Sequence, residues 1–163
     1  ARFTVARANA WVRDASDYLT AGAVADVVAA SPVARAQADA WRDRRGEWVA
    51  SAGWGIVGRT WADPDRWTVA ELRPLLARIR AEIHDRPNRV RHEMTMALIS
   101  IALRSEGLRR AAISTAERIG PVVVDHGETS CTTPEPVAYI EKTGAYRQRR
   151  AADARRRSGA PAR

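Results

Sequence analysis

The 163-residue chain sets 27 Lys and Arg against 19 Asp and Glu, for a formal charge of +8 and a pI of about 11.0, with 45% hydrophobic residues. That length and apolar content suit one domain with a substantial core. The single cysteine excludes an intramolecular disulfide framework, and no run of about 18 apolar residues is present to span a bilayer.

Lys142 is the sole lysine, so nearly all the positive charge is guanidinium. The planar donor fork of Arg matches phosphate oxygens, and a basic excess favours polyanions through counterion release. A GC-rich coding sequence also accounts for Arg in place of Lys, though not for the net excess. The chain opens at Ala1 with no charged-then-apolar leader. The expectation is a cytoplasmic, monomeric protein, trimmed at its N-terminus, with helices missing upstream.

Asn9 precedes an Ala- and Val-rich segment, about residues 10–30, that predicts one long first helix. It ends at Ser31-Pro32, where proline disfavours helical geometry in the residue before it. Pro32 suits the opening turn of a second helix, about residues 33–44, and Gly46 is expected to stop it in the left-handed conformation. A third helix, about residues 47–61, carries Trp48, Ala52, Gly55 and Ile56 at helical spacing. Its Gly53, Gly55 and Gly58 each cost about 1 kcal/mol relative to alanine, which predicts close helix contact.

Asp63-Pro64-Asp65 then breaks the chain. Thr68 with Glu71 forms a capping-box pattern, and Pro74 predicts an irregular first turn. Leu72, Leu75, Leu76, Ile79 and Ile83 define one buried stripe of this fourth helix. After Asp85-Arg86-Pro87-Asn88 a fifth helix runs to about Ser105, with Val90, Met94, Ala97, Leu98 and Ile101 on one face and Ile99 and Leu103 on another. Two apolar faces imply neighbours on two sides, as in a stacked repeat.

A sixth helix, about residues 108–119, closes at Gly120, and the β-branched Val122 to Val124 are expected to lie extended. Thr133-Pro134 starts a last helix through about Tyr146, with Val137, Tyr139 and Ile140 facing inward. The remainder holds seven arginines and is expected to fray. The division is a helical-repeat domain over residues 1–146 and an Arg-rich flexible tail over residues 147–163. Periodicity yields an all-α fold, and the short connections favour antiparallel helix pairs.

The stretch Ile119-Gly120-Pro121-Val122-Val123-Val124-Asp125-His126-Gly127-Glu128-Thr129-Ser130-Cys131-Thr132-Thr133-Pro134 is the chain's best identifier. Preceded by paired amphipathic helices and followed by an arginine-rich tail, it resembles the DNA alkylation repair family. The resemblance covers roughly Trp11 to Lys142. It implies a right-handed superhelical stack of antiparallel helix pairs, an alpha solenoid of the HEAT-like or ARM-like kind.

Some members of that family are DNA glycosylases that release cationic N3- or N7-alkylated purines, using an aspartate with aromatic and arginine side chains. Breaking the glycosidic bond builds positive charge on the sugar, so a nearby carboxylate lowers the barrier and orients water. No metal or organic cofactor is required. Matching Trp11 through Asp26, anchored on Ala25-Asp26 and Ser31-Pro32, implies that Asp17 holds the catalytic aspartate position. Arg13 then stands where an aromatic residue is expected, Ser51 where a DNA-contacting arginine is expected, and Met96 where another aromatic residue can occur. Arg13 or His92 could compensate for the charge absent at Ser51. Arg13 and Asp17, four residues apart on one predicted helix, also read as a plain surface ion pair.

Further phosphate contacts are expected from Arg42, Arg44 and Arg45 after the second helix, from Arg109 and Arg110 opening the sixth, and from the tail. Trp48, Trp54 and Trp61 could present aromatic surface to nucleic acid, although tryptophan at helical spacing commonly packs into a core. In the segment Asp125 to Cys131 the main expectation is structural, with Asp125, Thr129 and Ser130 bonding the loop's own backbone and His126 capping the preceding helices. A metal-dependent hydrolase there would need His92 or Glu93 as a distant ligand, and Cys-His nucleophilic chemistry is a further reading. The leading expectation is a protein that binds double-stranded DNA through backbone phosphates and excises alkylated bases through Asp17. The alternative is a noncatalytic scaffold for DNA structure or another macromolecule.

Overall fold

The computed structural model describes residues 3–144. In chain order the helices are α1 (Val5–Asp14), α2 (Tyr18–Ala29), α3 (Ala34–Trp41), α4 (Glu47–Thr60), α5 (Val69–Glu82), α6 (Asn88–Ala102) and α7 (Glu106–Ile119), with a 3₁₀ turn at Ile83–Asp85 and a helical segment over residues 136–144. No strand occurs among the described residues. The expected tail, residues 147–163, lies outside them.

The predicted first helix is two helices. Ala15 is extended (φ −67°, ψ 126°), and Asp17 (φ −153°, ψ 175°) restarts the chain as the N-cap of α2. Its Oδ1 accepts from Leu19 N at 2.7 Å and Thr20 N at 2.9 Å, while Thr20 Oγ1 accepts from Asp17 N at 3.3 Å. This reciprocal box satisfies amides that a continuous helix would have bonded to its own carbonyls. Arg13 and Asp17 therefore share no helix face, and the expected i, i+4 pair is replaced by a helix boundary.

The other boundaries agree with the expected elements to within a turn. Thr68 and Glu71 form the expected box at the start of α5, and Pro74 is accommodated inside the helix on its exposed side rather than in a broken first turn. Gly46 has an ordinary φ of −66° and serves as the N-cap of α4, so it does not end α3 in the left-handed conformation as expected. Gly120 does take a positive φ, 69°, at the end of α7. There the nearby imidazole Nε2 of His84 lies 2.9 Å from the Ile119 carbonyl oxygen.

The helices form two layers. α2, α4 and α6 pack side by side in one, with α4 in the middle; α3, α5 and α7 follow one another in the other, and α1 packs on α2 and α4. The ion pairs of Arg35 with Glu71 (2.9 Å) and of Arg78 with Asp43 (2.7 Å) join α3 and its following loop to α5. α4 is buried on nearly every side, including Ala50, Ala52, Trp54, Ile56 and Val57. Its small residues let neighbouring backbones approach. A Cβ on Gly53 would lie 2.3 Å from Arg42 N, so α3 ends against bare backbone there.

Of the tryptophans, Trp41, Trp54 and Trp67 are core residues. Trp41 Nε1 donates to Asn9 Oδ1 at 2.9 Å, and Trp67 Nε1 donates to Thr60 Oγ1 at 2.9 Å beneath the Arg35 guanidinium, which supplies the polar partner a buried indole requires. The stripe Leu72, Leu75, Leu76 and Ile79 of α5 is buried as expected, each side chain stabilising the fold by roughly 1.5–3 kcal/mol. The pairwise stacking is that of a HEAT-like helical repeat.

Candidate functional site

Contacts at matched heights show that α2, α4 and α6 run in one direction. Tyr18 of α2 meets Arg89 of α6 near their first turns, whereas Gly55 of α4 lies between Ala25 and Glu93 farther along. Three helix N-termini thus lie along one edge of the layer, that of α2 capped by Asp17 and that of α6 bonded through Arg89 N to Glu47.

Arg89 organises that edge. Its backbone N donates to Glu47 Oε1 at 2.6 Å, its guanidinium carbon lies 4.4 Å from the Tyr18 ring centroid, and Nη1 donates to His126 Nδ1 at 3.2 Å. Arg89 also lines a cavity of about 320 Å³, together with Tyr18, His92, Asp125, His126 and Cys131, among others. Beside it a smaller hollow is bordered by Tyr18, Ser51, Arg89 and Glu93. Ser51 is 4% exposed there, and its Oγ donates to the Trp48 carbonyl at 3.1 Å. The cation that shares this hollow with the position expected to hold a DNA-contacting arginine is Arg89, supplied from a different helix.

The segment from Asp125 to Cys131 is docked against the start of α6. Asn88 holds the Asp125 backbone at both ends of its amide, donating to the carbonyl at 2.6 Å and accepting from N at 2.7 Å. Asp125 Oδ1 accepts from Gly127 N at 2.7 Å, and Thr129 Oγ1 donates to the His126 carbonyl at 2.9 Å, as expected of a self-bonded loop. His126 does not cap a helix; it faces His92 edge to face, with ring centroids 5.5 Å apart. Thr133 Oγ1 lies 2.9 Å from both His126 Nε2 and His92 Nδ1.

Donation from Arg89 makes His126 Nδ1 an acceptor. Its Nε2–H then donates to Thr133, whose single hydroxyl proton points to His92 Nδ1. Burial, with the positive charge of Arg89 next in effect, lowers the His92 pKa to about 4, so this ring is neutral at pH 7. Both histidines are engaged by this chain, and no group of three His, Cys, Asp or Glu that could hold a metal occurs among the described residues. His126 has both ring nitrogens occupied, so no Cys131-His126 pair forms.

Deeper in the layer Arg59 bridges α2 and α6. It pairs with Asp26, lies 3.6 Å from Glu93, and donates to the Gly55 carbonyl at 3.0 Å. A Cβ on Gly55 would come within 2.7 Å of Arg59 Nη1, so the glycine makes room for the guanidinium. Burial raises the Glu93 pKa, and Arg59 opposes the rise.

The other expected residues divide by what they touch. Asp17 caps α2, and its bonds from the Thr20 and Leu19 amides hold the carboxyl below the usual carboxylate range, so it is an anion next to cavity-lining Tyr18. Arg42 is drawn into pairs with Asp39 and Asp43. Arg109 and Arg110 share Glu106, at 3.6 and 3.5 Å, and Arg110 remains largely exposed. Trp48 is half-buried, and Met96 packs against the core. Arg13, Arg44 and Arg45 border one hollow at the junction of α1, α3 and α4. Tyr18 and Arg89 were not singled out from sequence; the signals were the Asp17-x-x-Thr20 cap and the placement of Arg89 three residues before His92.

A solved structure described as a new family of proteins related to the HEAT-like repeat DNA glycosylases, with affinity for branched DNA structures, superposes with a TM-score of 0.77 at 22% identity. The match covers 86% of this chain and 61% of that one. An uncharacterized protein of Listeria innocua is 29% identical over 134 residues, and one of Listeria monocytogenes is 28% identical over the same length. Each alignment covers 82% of this chain but 57% of the relative, so the chain spans little more than half the length of these proteins. Residues 2–135 match the family described as DNA alkylation repair enzyme, and the chain belongs to that family.

Proposed function

We propose that this chain binds DNA along the N-terminal edge of α2, α4 and α6, holding backbone phosphates through Arg89. The observation that carries the reading is the placement of Arg89 on the Tyr18 ring and against His126, at the wall of the cavity. A guanidinium restrained on two sides loses little freedom on binding phosphate. Tyr18, 42% exposed, adds an aromatic face suited to an unstacked base or sugar. The net charge of +8 supplies long-range attraction.

In this reading the chain recognises DNA structure without base excision. Ser51 is buried and uncharged, and Met96 packs inward, so two side chains expected at a glycosylase site are replaced by groups that cannot stack on or ion-pair with a lesion. The affinity of the similar solved protein for branched DNA agrees with this assignment. One observation favours excision instead: Asp17 is an anion beside Tyr18, where a carboxylate could stabilise positive charge on a sugar.

The test pairs two assays on the whole chain. Anisotropy titrations of a linear duplex and a four-way junction are expected to show binding, with the junction preferred. Chromatography of duplex containing 7-methylguanine is expected to show no released base. Release by the wild type that is lost in Asp17→Asn would establish the glycosylase instead, because Asn caps a helix as well as Asp does and the variant removes only the charge.

A further inference from the structure

Three arginines outside the Arg89 cavity meet in one place. Arg13 comes near the end of α1, Arg44 and Arg45 lie between α3 and α4, and with Asn9, Trp41 and Gly46 they border a hollow of about 440 Å³. No carboxylate lines it. Among the described residues Arg13 and Arg45 have no ion pair, and Arg44 commits only Nε, to the Ala40 carbonyl at 3.2 Å.

Asn9 is oriented to match. Its Oδ1 accepts from Gln37 Nε2 at 2.8 Å and from Trp41 Nε1 at 2.9 Å, so both lone pairs are taken from the core side. The two amide N–H donors of Asn9 are what remains for the hollow. Gly46, the N-cap of α4, offers no side-chain acceptor to the first amides of that helix. The polar side chains around this space are therefore donors, three of them permanently cationic, and Trp41 forms an apolar wall.

We infer that this hollow seats a second backbone phosphate of DNA, separate from the one held at Arg89. The inference rests on the DNA-binding reading and extends it. Gly46, the N-cap of α4, borders this hollow, and the next residue, Glu47, accepts from the backbone of Arg89, so the two phosphate seats adjoin the same N-terminal edge. A strand laid along the edge is then held at two points. Arg13, standing where the family resemblance calls for an aromatic residue, exchanges a stacking contact for a charge.

The test compares wild type, the double variant Arg13→Gln/Arg45→Gln, and Arg89→Gln. Both altered positions in the double variant lack ion-pair partners among the described residues, so its melting temperature is expected to match the wild type. Duplex affinity of the double variant is expected to fall about tenfold at 0.1 M salt, and the slope of log K against log salt to flatten by about 1.8, two contacts' worth. In amide NMR spectra of the wild type, Gly46 and the Asn9 side chain should shift on DNA addition.

A double variant that binds with wild-type affinity and slope while Arg89→Gln is weakened would overturn the second seat and leave the DNA reading standing. A wild type that binds no DNA would overturn both. If inorganic phosphate alone then shifted Gly46 and Asn9 saturably, the hollow would be a site for free phosphate rather than for a DNA strand.

Discussion

At the residue scale the folded chain assigns its arginines unequal work. Arg35, Arg42, Arg66 and Arg78 are spent on carboxylates of α3, α5 and the loops between helices, whereas Arg13, Arg45 and Arg89 keep donors for solvent-facing hollows. Sequence alone marked Arg42, Arg44 and Arg45 as one cluster; it could not separate Arg42, because an ion pair with Asp39 depends on which way the helix end turns. Arg89 was not legible for a similar reason, since its partners Tyr18 and His126 lie 71 and 37 residues away. His92 supplies a pH prediction. Its folded pKa of about 4 lies below the ordinary 6.5, so between those values the unfolded chain takes up a proton that the folded chain refuses. Stability from this residue is complete above pH 6.5 and is lost as pH falls toward 4. Glu93, with its raised pKa, works in the opposite direction, so the comparison must isolate His92. Melting temperatures of wild type and His92→Gln should therefore differ in acid sensitivity, the wild type dropping more between pH 6.5 and 4; parallel curves would contradict the assignment.

At the element scale the lesson lies in α1, α2 and α4. The Ala- and Val-rich pattern of residues 10–30 supports helix throughout, and what divides it is a short-range competition won by the Asp17 and Thr20 side chains. Strong apolar periodicity, as in α5 and α6, was legible in its buried stripes, because burial and spacing agree there, although α6 ends at Ala102 rather than near Ser105. The glycines of α4 were legible as a sign of close contact but not as to which contact. Gly53→Ala would press a methyl onto the backbone of Arg42 and should destabilise the fold by about 3 kcal/mol or more. Gly22→Ala, in α2 with open space around its Cβ, should stabilise by about 0.5–1 kcal/mol. Chemical denaturation of the two variants checks both, and equal effects would show that α4 does not approach α3 as described. Thr133→Val, which removes the hydroxyl bridging His92 and His126, should raise proteolytic cleavage within residues 125–132 while leaving the helices intact.

At the scale of the whole molecule, the family and the stacked-helix architecture were legible from the order of elements and from the segment Ile119 to Pro134. The proposed DNA-binding edge was legible only in part, since Asp17, Ser51 and His92 were placed by resemblance along it while Arg89 was not. Parallel first-layer helices explain the outcome: they gather three N-termini, Tyr18 and Arg89 onto one side, a convergence that no local spacing encodes. Phosphate recognition at Arg89 is tested by the salt dependence of duplex binding by wild type and Arg89→Gln. The wild type is expected to bind tightly and salt-sensitively, with Arg89→Gln about tenfold weaker at 0.1 M salt and its log–log slope shallower by about 0.9. Equal affinity and equal slope in the two proteins would contradict it.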